Sequence, residues 1–132
     1  MEENTKKKYV IDASFVLSHL MPDELSEEAT LFFLKYKTKK IEFITTTLLL
    51  YELANSFSSN IKRNRISPSE ANRLLDLYQD YRIVEYSVNL KEVLKLSFKY
   101  NISCYDSSYI WLSKEKKAKF LTFDSQLKSI NL

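Results

Sequence analysis

Glycine does not occur in this chain of 132 residues. Phosphate-cradling loops of the G-x-G-x-x-G and Walker types need it for close backbone approach, so the nucleotide chemistries built on them are excluded. Every sharp backbone position must then fall to Asn, Asp, Ser or Lys. A single cysteine, Cys104, excludes an internal disulfide and a cysteine-based zinc cluster, and reads as a small buried apolar residue. A single histidine, His19, excludes a multi-histidine metal site and reads as a polar residue on a short helix rather than a lone general base. With so little nitrogen and sulfur, any metal chemistry rests on carboxylates. Long apolar runs are missing as well. Uncharged stretches such as Phe43 to Tyr51 are far below the roughly 20 residues that span a bilayer, so no membrane association is expected. The polar start, Met-Glu-Glu-Asn-Thr-Lys-Lys-Lys, lacks the apolar segment and cleavage site of a signal peptide, and the expectation is a cytoplasmic protein.

What is present is the material of one folded domain, expected over 1–132. Hydrophobic residues make up 45%, too many for a disordered chain and too interrupted for a membrane protein. The net charge of +3 is too small for global electrostatics to hold a polyanion, yet the cations are grouped. Lys35, Lys37, Lys39 and Lys40 form one group, Lys62, Arg63 and Arg65 a second, and Lys114, Lys116, Lys117 and Lys119 a third. Such runs are ordinary at helix ends, where they complement the dipole.

The pattern alternates strands and helices. Lys8 to Ile11 reads as a strand ending on Asp12, followed by a short helix over about Ser14 to Leu20 that Pro22 stops. Ser26 reads as the N-cap of a helix with the stripe Leu25, Ala29, Phe32, Phe33 and Tyr36. Ile41 to Thr45 is a second strand, and Thr47 to Arg63 a long helix burying Leu50, Leu53, Ala54, Phe57 and Ile61. Ser67-Pro68-Ser69-Glu70 is a capping box opening a helix that buries Leu74, Leu75, Tyr78 and Tyr81. Arg82 to Tyr86 is the third strand. Asn89 with Glu92 opens a further helix, which Asn101 closes in the left-handed conformation. A helix from Asp106 through Tyr109, Trp111 and Leu112 leads to a fourth strand, Lys119 to Phe123. This alternation implies an α/β fold, a mostly parallel sheet with helices on both faces, and a site at the carboxyl ends of the strands.

Four acids stand out by their surroundings. Taken singly, Asp12, Asp106 and Asp124 each read as helix caps and Glu52 as an exposed helical residue. Yet acids normally avoid apolar surroundings unless they are partnered. Asp12 follows Tyr-Val-Ile, Glu52 lies inside Thr-Leu-Leu-Leu-Tyr-Glu-Leu-Ala-Asn, Asp106 leads into a helix rich in Tyr, Ile, Trp and Leu, and Asp124 follows Lys-Phe-Leu-Thr-Phe. Asp23, Glu24, Glu27, Glu28, Asp76, Asp80 and Glu115 fall among polar neighbours and read as surface. Carboxylates gathered at one sheet end repel each other, and a hard cation relieves that repulsion. Oxygen-only ligation suits magnesium or manganese, which activate water for attack on a phosphodiester. On the same helical face as Glu52 lie Asn55, Ser56, Ser59 and Arg63, a polar track toward the cations Lys62, Arg63 and Arg65 that would suit a phosphate backbone.

These segments together resemble the PIN-domain nucleases, and within them the toxin-like VapC group. Tyr-Val-Ile-Asp-Ala-Ser is similar to the family's opening strand with its first acid, Asp12, and Ser14 near it. Leu-Leu-Leu-Tyr-Glu-Leu-Ala-Asn is similar to the helix with the second, Glu52; Asn-Ile-Ser-Cys-Tyr-Asp-Ser-Ser-Tyr-Ile-Trp-Leu-Ser to the segment with the third, Asp106; and Leu-Thr-Phe-Asp to that with the fourth, Asp124, preceded by Thr122. The resemblance covers nearly the whole chain. It implies a three-layer α/β/α sandwich with a central sheet of four or five strands. It further implies a ribonuclease using Mg2+ or Mn2+ on single-stranded or structured RNA, a small antitoxin partner and a homodimer. Asn101 stands where the family commonly has glycine, and only eight residues follow Asp124, which leaves the usual final strand short or absent.

Two other classes compete with this reading: an RNA-processing relative without an antitoxin, and a non-catalytic α/β binding or signalling module. A phosphoacceptor receiver needs a paired acid after its first strand and an acid ending its third, and here Asp12 is unpaired and Arg-Ile-Val-Glu-Tyr-Ser ends without aspartate. A phosphatase of the Asp-x-Asp type is disfavoured because Ala-Ser follows Asp12.

Overall fold

Val10 and Ile11 are both fully buried although they point to opposite faces, so the first strand is covered on both sides. The computed structural model describes residues 6–130. In chain order the elements are β1 (Lys8–Ile11), α1 (Ala13–Leu20), α2 (Glu27–Lys37), β2 (Glu42–Thr46), α3 (Leu49–Lys62), α4 (Pro68–Asp80), β3 (Val84–Tyr86), α5 (Leu90–Tyr100), α6 (Cys104–Lys116), β4 (Lys119–Leu121) and α7 (Ser125–Lys128). The strands form one parallel sheet in the order β3-β2-β1-β4. No fifth strand occurs among the described residues.

Aromatic contacts assign the helices to the two faces. Tyr9 pairs in register with Phe43, so both side chains leave the same face. There Phe43 stacks on Tyr36 of α2 at 4.9 Å and meets Phe15 of α1 edge-on at 6.1 Å, while Tyr9 meets Phe32 of α2. Val10, in register with Ile44 and Phe120, points the other way. On that side Phe120 stacks on Tyr109 of α6 at 6.2 Å, and α5 packs against α6. Sheet and two helical layers therefore share one core.

Local signals position the helix ends. Ser26, Ser67 and Asn89 each accept a hydrogen bond from the backbone N–H three residues on. The capping box at Ser67 is made only in that half, because the Glu70 carboxylate is gripped by Arg73 at 2.9 Å. Left-handed positions fall to Lys39, Asn64, Arg82, Asn101 and Lys117, with φ between 52° and 64°. Asn101 closes α5 as expected. Arg82 lies outside the residue types expected for such positions.

The buried face of α3 differs from expectation. Leu49, Leu53, Phe57 and Asn60 are buried, Leu50 and Ile61 only partly, and Ala54 is exposed. The run Leu48-Leu49-Leu50-Tyr51 has no polar residue to fix the helical phase, so packing against the core chose it. Asn60 donates its Nδ2 to the Ser56 carbonyl at 2.8 Å, while its buried Oδ1 has no partner among the described residues.

Candidate active site

Asp12 occupies the junction between β1 and α1 and is 4% exposed. Its Oδ1 accepts from the Ser14 hydroxyl at 2.7 Å and from the Phe15 N–H at 3.0 Å, which makes it the N-cap of α1. Its Oδ2 accepts from the Thr122 hydroxyl. The same hydroxyl oxygens turn back to the end of β4: Ser14 Oγ accepts from the Phe123 N–H at 2.9 Å and Thr122 Oγ1 from the Asp124 N–H at 3.0 Å. Ser14 and Thr122 thus fix the orientation of the Asp12 carboxylate and tie the carboxyl ends of two neighbouring strands together.

Glu52 sits in the first turn of α3, half-buried, and accepts a short hydrogen bond from the Tyr109 hydroxyl of α6. Asp106 also stands in a first turn, that of α6, where the helix dipole favours a carboxylate. It is not the cap of that helix. Ser103 is, accepting from the Asp106 N–H at 3.0 Å. Asp124 caps α7 by accepting from the Leu127 N–H at 3.0 Å and is exposed.

Electrostatics tie the acids to one another. Burial raises the Asp12 carboxyl above its ordinary range, the hydrogen bonds from Thr122, Phe15 and Ser14 oppose this, and the Asp106 charge adds to it. Burial likewise pushes Glu52 up to about 7; the Tyr109 hydrogen bond pulls it back, and Asp106 and Asp12 push it further. Asp106 is raised by burial and then by Asp124, against the Ser103 hydroxyl. Asp12, Glu52 and Asp106 therefore each feel at least one other acid, and the four acids come from four separate segments of the chain.

The donor set is all oxygen, and burial together with neighbouring carboxylates raises Asp12, Glu52 and Asp106. Among the described residues, no three acids stand close enough to form a ready-made metal cage. That arrangement still fits a magnesium-type ion, which keeps several waters and takes only one or two carboxylates directly. His19 is not part of the centre. Its Nε2 meets the Tyr81 hydroxyl at 2.7 Å, its ring stacks on Phe33 at 4.1 Å, and burial followed by Lys37 lowers its pKa. Cys104, expected to be buried, is half-buried at the first residue of α6. Lys62 and Arg63 are exposed at the end of α3, while Arg65 is engaged in an ion pair with Asp23, with Glu24 at 3.8 Å. The seven acids read as surface are all exposed.

The PIN domain family model matches residues 9–131. The chain belongs to the PIN-domain family. Within this family it is similar to Ribonuclease VapC3 of Pyrobaculum aerophilum, 29% identical over 124 residues that cover 91% of this chain and 92% of that protein. The crystal structure of PAE2754 from the same organism has the same fold, with a TM-score of 0.73 at 20% identity, covering 92% of this chain and 77% of that one. No helix among the described residues of this PIN domain is long and apolar enough to cross a membrane.

Two contributors to the PIN centre are hidden in the sequence. Tyr109 reads there only as a core aromatic, and it is completely buried, but its hydroxyl is aimed at Glu52. A tyrosine three residues after an acid, one helical turn along the same face, is the available signal. Ser103 is masked because Asp106 looks like the cap; the spacing Ser-x-x-Asp is that of a capping box.

Proposed function

We propose that this PIN domain is a divalent-metal-dependent endoribonuclease. The observation that carries this reading is the convergence of four acids from separate segments near the carboxyl ends of the strands, where beyond burial Asp106 acts on Asp12 and Glu52, Asp12 on Glu52, and Asp124 on Asp106. Similarity to a VapC ribonuclease supports RNA as substrate and supports the toxin role in a toxin–antitoxin pair. Asp12, Glu52, Asp106 and Asp124 would hold Mg2+ or Mn2+ together, one or two of them directly and the others through its retained waters. When bound, such an ion supplies Lewis acidity for phosphodiester hydrolysis and neutralises charge developing on the leaving oxygen.

The chain's own side chains do the holding and aiming. Ser14 and Thr122 fix the plane of Asp12, Tyr109 fixes Glu52, and the first turn of α6 presents Asp106. Asp124, at the N-cap of α7, is exposed to solvent. Among the described residues no histidine, cysteine or lysine bonds to these acids, so water rather than a side chain attacks phosphorus. Cleavage of a mixed RNA pool should therefore require magnesium or manganese, vanish in Asp12→Asn, and leave 5′-phosphate and 3′-hydroxyl ends. Ends carrying 2′,3′-cyclic phosphate would show attack by the ribose hydroxyl and overturn the mechanism.

Lys62 and Arg63 are proposed as phosphate ligands on the approach along α3; Arg65, paired with Asp23, contributes little. Alanine at both should weaken RNA binding and lower the salt dependence of log K by about 0.7 for each phosphate no longer neutralised. Unchanged affinity across a salt titration would make them a solvated helix end. A short reading frame beside the gene would favour the antitoxin-paired role over RNA processing. The exposed apolar residues Leu90, Leu94 and Phe98, spaced four apart on α5, are suited to the homodimer that the family resemblance implies.

A further inference from the structure

We infer that a single RNA strand leaves the acidic centre along the open edge of β4, its phosphates resting on a line of lysines. β4 bonds to β1 on one side only, and among the described residues nothing pairs with its other edge. Beside that edge runs a groove of about 780 Å3. Phe32 and Phe123, both half-buried, contribute to its floor, and Lys114, Lys117, Lys119 and Lys128, all exposed, form its rim. Among the described residues, Glu28 is the one carboxylate in its lining.

The two ends of the groove give it a direction. At its upper end the wall is Thr122 and Phe123, and Thr122 is the residue that bonds Asp12. At its lower end Lys117 and Lys119 are shared with a second recess of about 470 Å3, otherwise lined by Lys6, Lys7, Lys8, Lys116 and Tyr9. No carboxylate lines that recess among the described residues. Acids, apolar groove and basic recess therefore follow one another along a single strand edge. Some ammonium groups are already held over rings, Lys128 over Phe123 at 5.0 Å and Lys116 over Tyr86 at 4.3 Å, which orients them without neutralising them.

The chemistry matches a single nucleic acid strand: separated cations for phosphates and a flat apolar floor for riboses and bases. Lysines gathered along one groove and its adjoining recess give that edge a positive potential that attracts a polyanion. An acidic peptide would satisfy the lysines as well. Continuity with the acidic centre favours RNA, and to that extent the inference rests on the ribonuclease function proposed for those acids.

The test reads binding apart from cleavage. Labelled single-stranded RNA oligonucleotides of increasing length are titrated into the parent protein in EDTA and into Asp12→Asn with magnesium. Affinity should rise with length, and the Lys117→Ala/Lys119→Ala variant should lose roughly tenfold on long strands, with the salt slope lower by about 0.7 per lysine. The shortest oligonucleotides should bind both proteins alike. A charge-matched control on α5, Lys91→Ala/Lys95→Ala, should change neither. Equal losses in the two double variants would overturn the groove as a site and leave only general charge attraction. So would an acidic peptide that displaces RNA and is itself released by the Lys117/Lys119 change, since the groove would then belong to a protein partner. Binding through the groove by a protein that cleaves nothing would support the track and count against the nuclease; magnesium-dependent cleavage with unchanged KM in Lys117→Ala/Lys119→Ala would do the reverse.

Discussion

Asp106→Asn is expected to melt at a higher temperature than the parent when metal is absent, and to cleave no RNA when metal is present. Asp106 is half-buried and raised above its ordinary pKa by burial and by Asp124, and its own charge raises Asp12 and Glu52. The folded state therefore binds protons more readily than the unfolded chain. For Glu52 the window runs from its ordinary 4.5 to about 7. Stability of the metal-free protein should fall as pH rises through that window and should be regained as pH is lowered, until exposed acids begin to protonate. An Asn at position 106 removes one of the repelling charges at similar volume. The helix keeps its cap, because Ser103 supplies it.

An effect of about 1 kcal/mol corresponds to roughly 4 °C in a chain of this size. Metal works in the opposite sense. At a hundred times its dissociation constant it stabilises by about 2.7 kcal/mol, and should do so far less in the variant. Thermal melts of both proteins, with and without magnesium, provide the comparison. Equal melting temperatures in all four conditions would mean that Asp106 faces neither other charges nor a cation.

Tyr109→Phe should move the pH dependence of activity upward without emptying the core. The ring is completely buried and stacked on Phe120, and Phe preserves both features. What is lost is the hydroxyl that donates to Glu52, the group that holds that carboxylate down against burial and its neighbours. With the donor gone, Glu52 titrates above about 7, so less of it is ionised at neutral pH. Cleavage should then drop near neutrality and recover in alkaline buffer, the acid limb being displaced while the plateau stays near that of the parent. Stability should respond to pH too. A hydrogen bond to a charged carboxylate contributes about 1.5–3 kcal/mol and one to a neutral carboxyl less, so the variant's deficit should shrink as pH falls. A profile that superimposes on the parent's would reduce Tyr109 to a space-filling residue.

Sequence carried the features that depend on near neighbours. β1 ends where Asp12 interrupts an apolar run, Ser67-Pro68 starts α4, and Asn101 takes the left-handed turn, because each is decided within a few residues. The apolar settings of Asp12 and Glu52 foretold their burial for the same reason. What escaped was set by distant partners. Arg65 reads as a free cation until Asp23, 42 residues away, claims it. Glu52 reads as an acid among leucines until Tyr109, 57 residues on, donates to it. Asp124 follows Thr-Phe in the sequence yet lies exposed, since β4 stops at Leu121 and lets the chain turn outward. Ala54, expected in the core, is exposed and Asn60 is buried, because α3 is rotated by packing its own sequence does not encode.

The bond between Asp12 and Thr122 joins residues 110 positions apart, and it has a temporal meaning during synthesis. A polypeptide growing from its amino end contains Asp12 early, Glu52 midway and Asp106 late, while the segment bearing Thr122 follows later still. β1 cannot acquire its β4 neighbour, nor Asp12 its threonine donor, until all four segments have been made. Ribosomes therefore handle a chain whose acidic centre is unfinished, and the finished centre first exists only after the last of its acids has emerged.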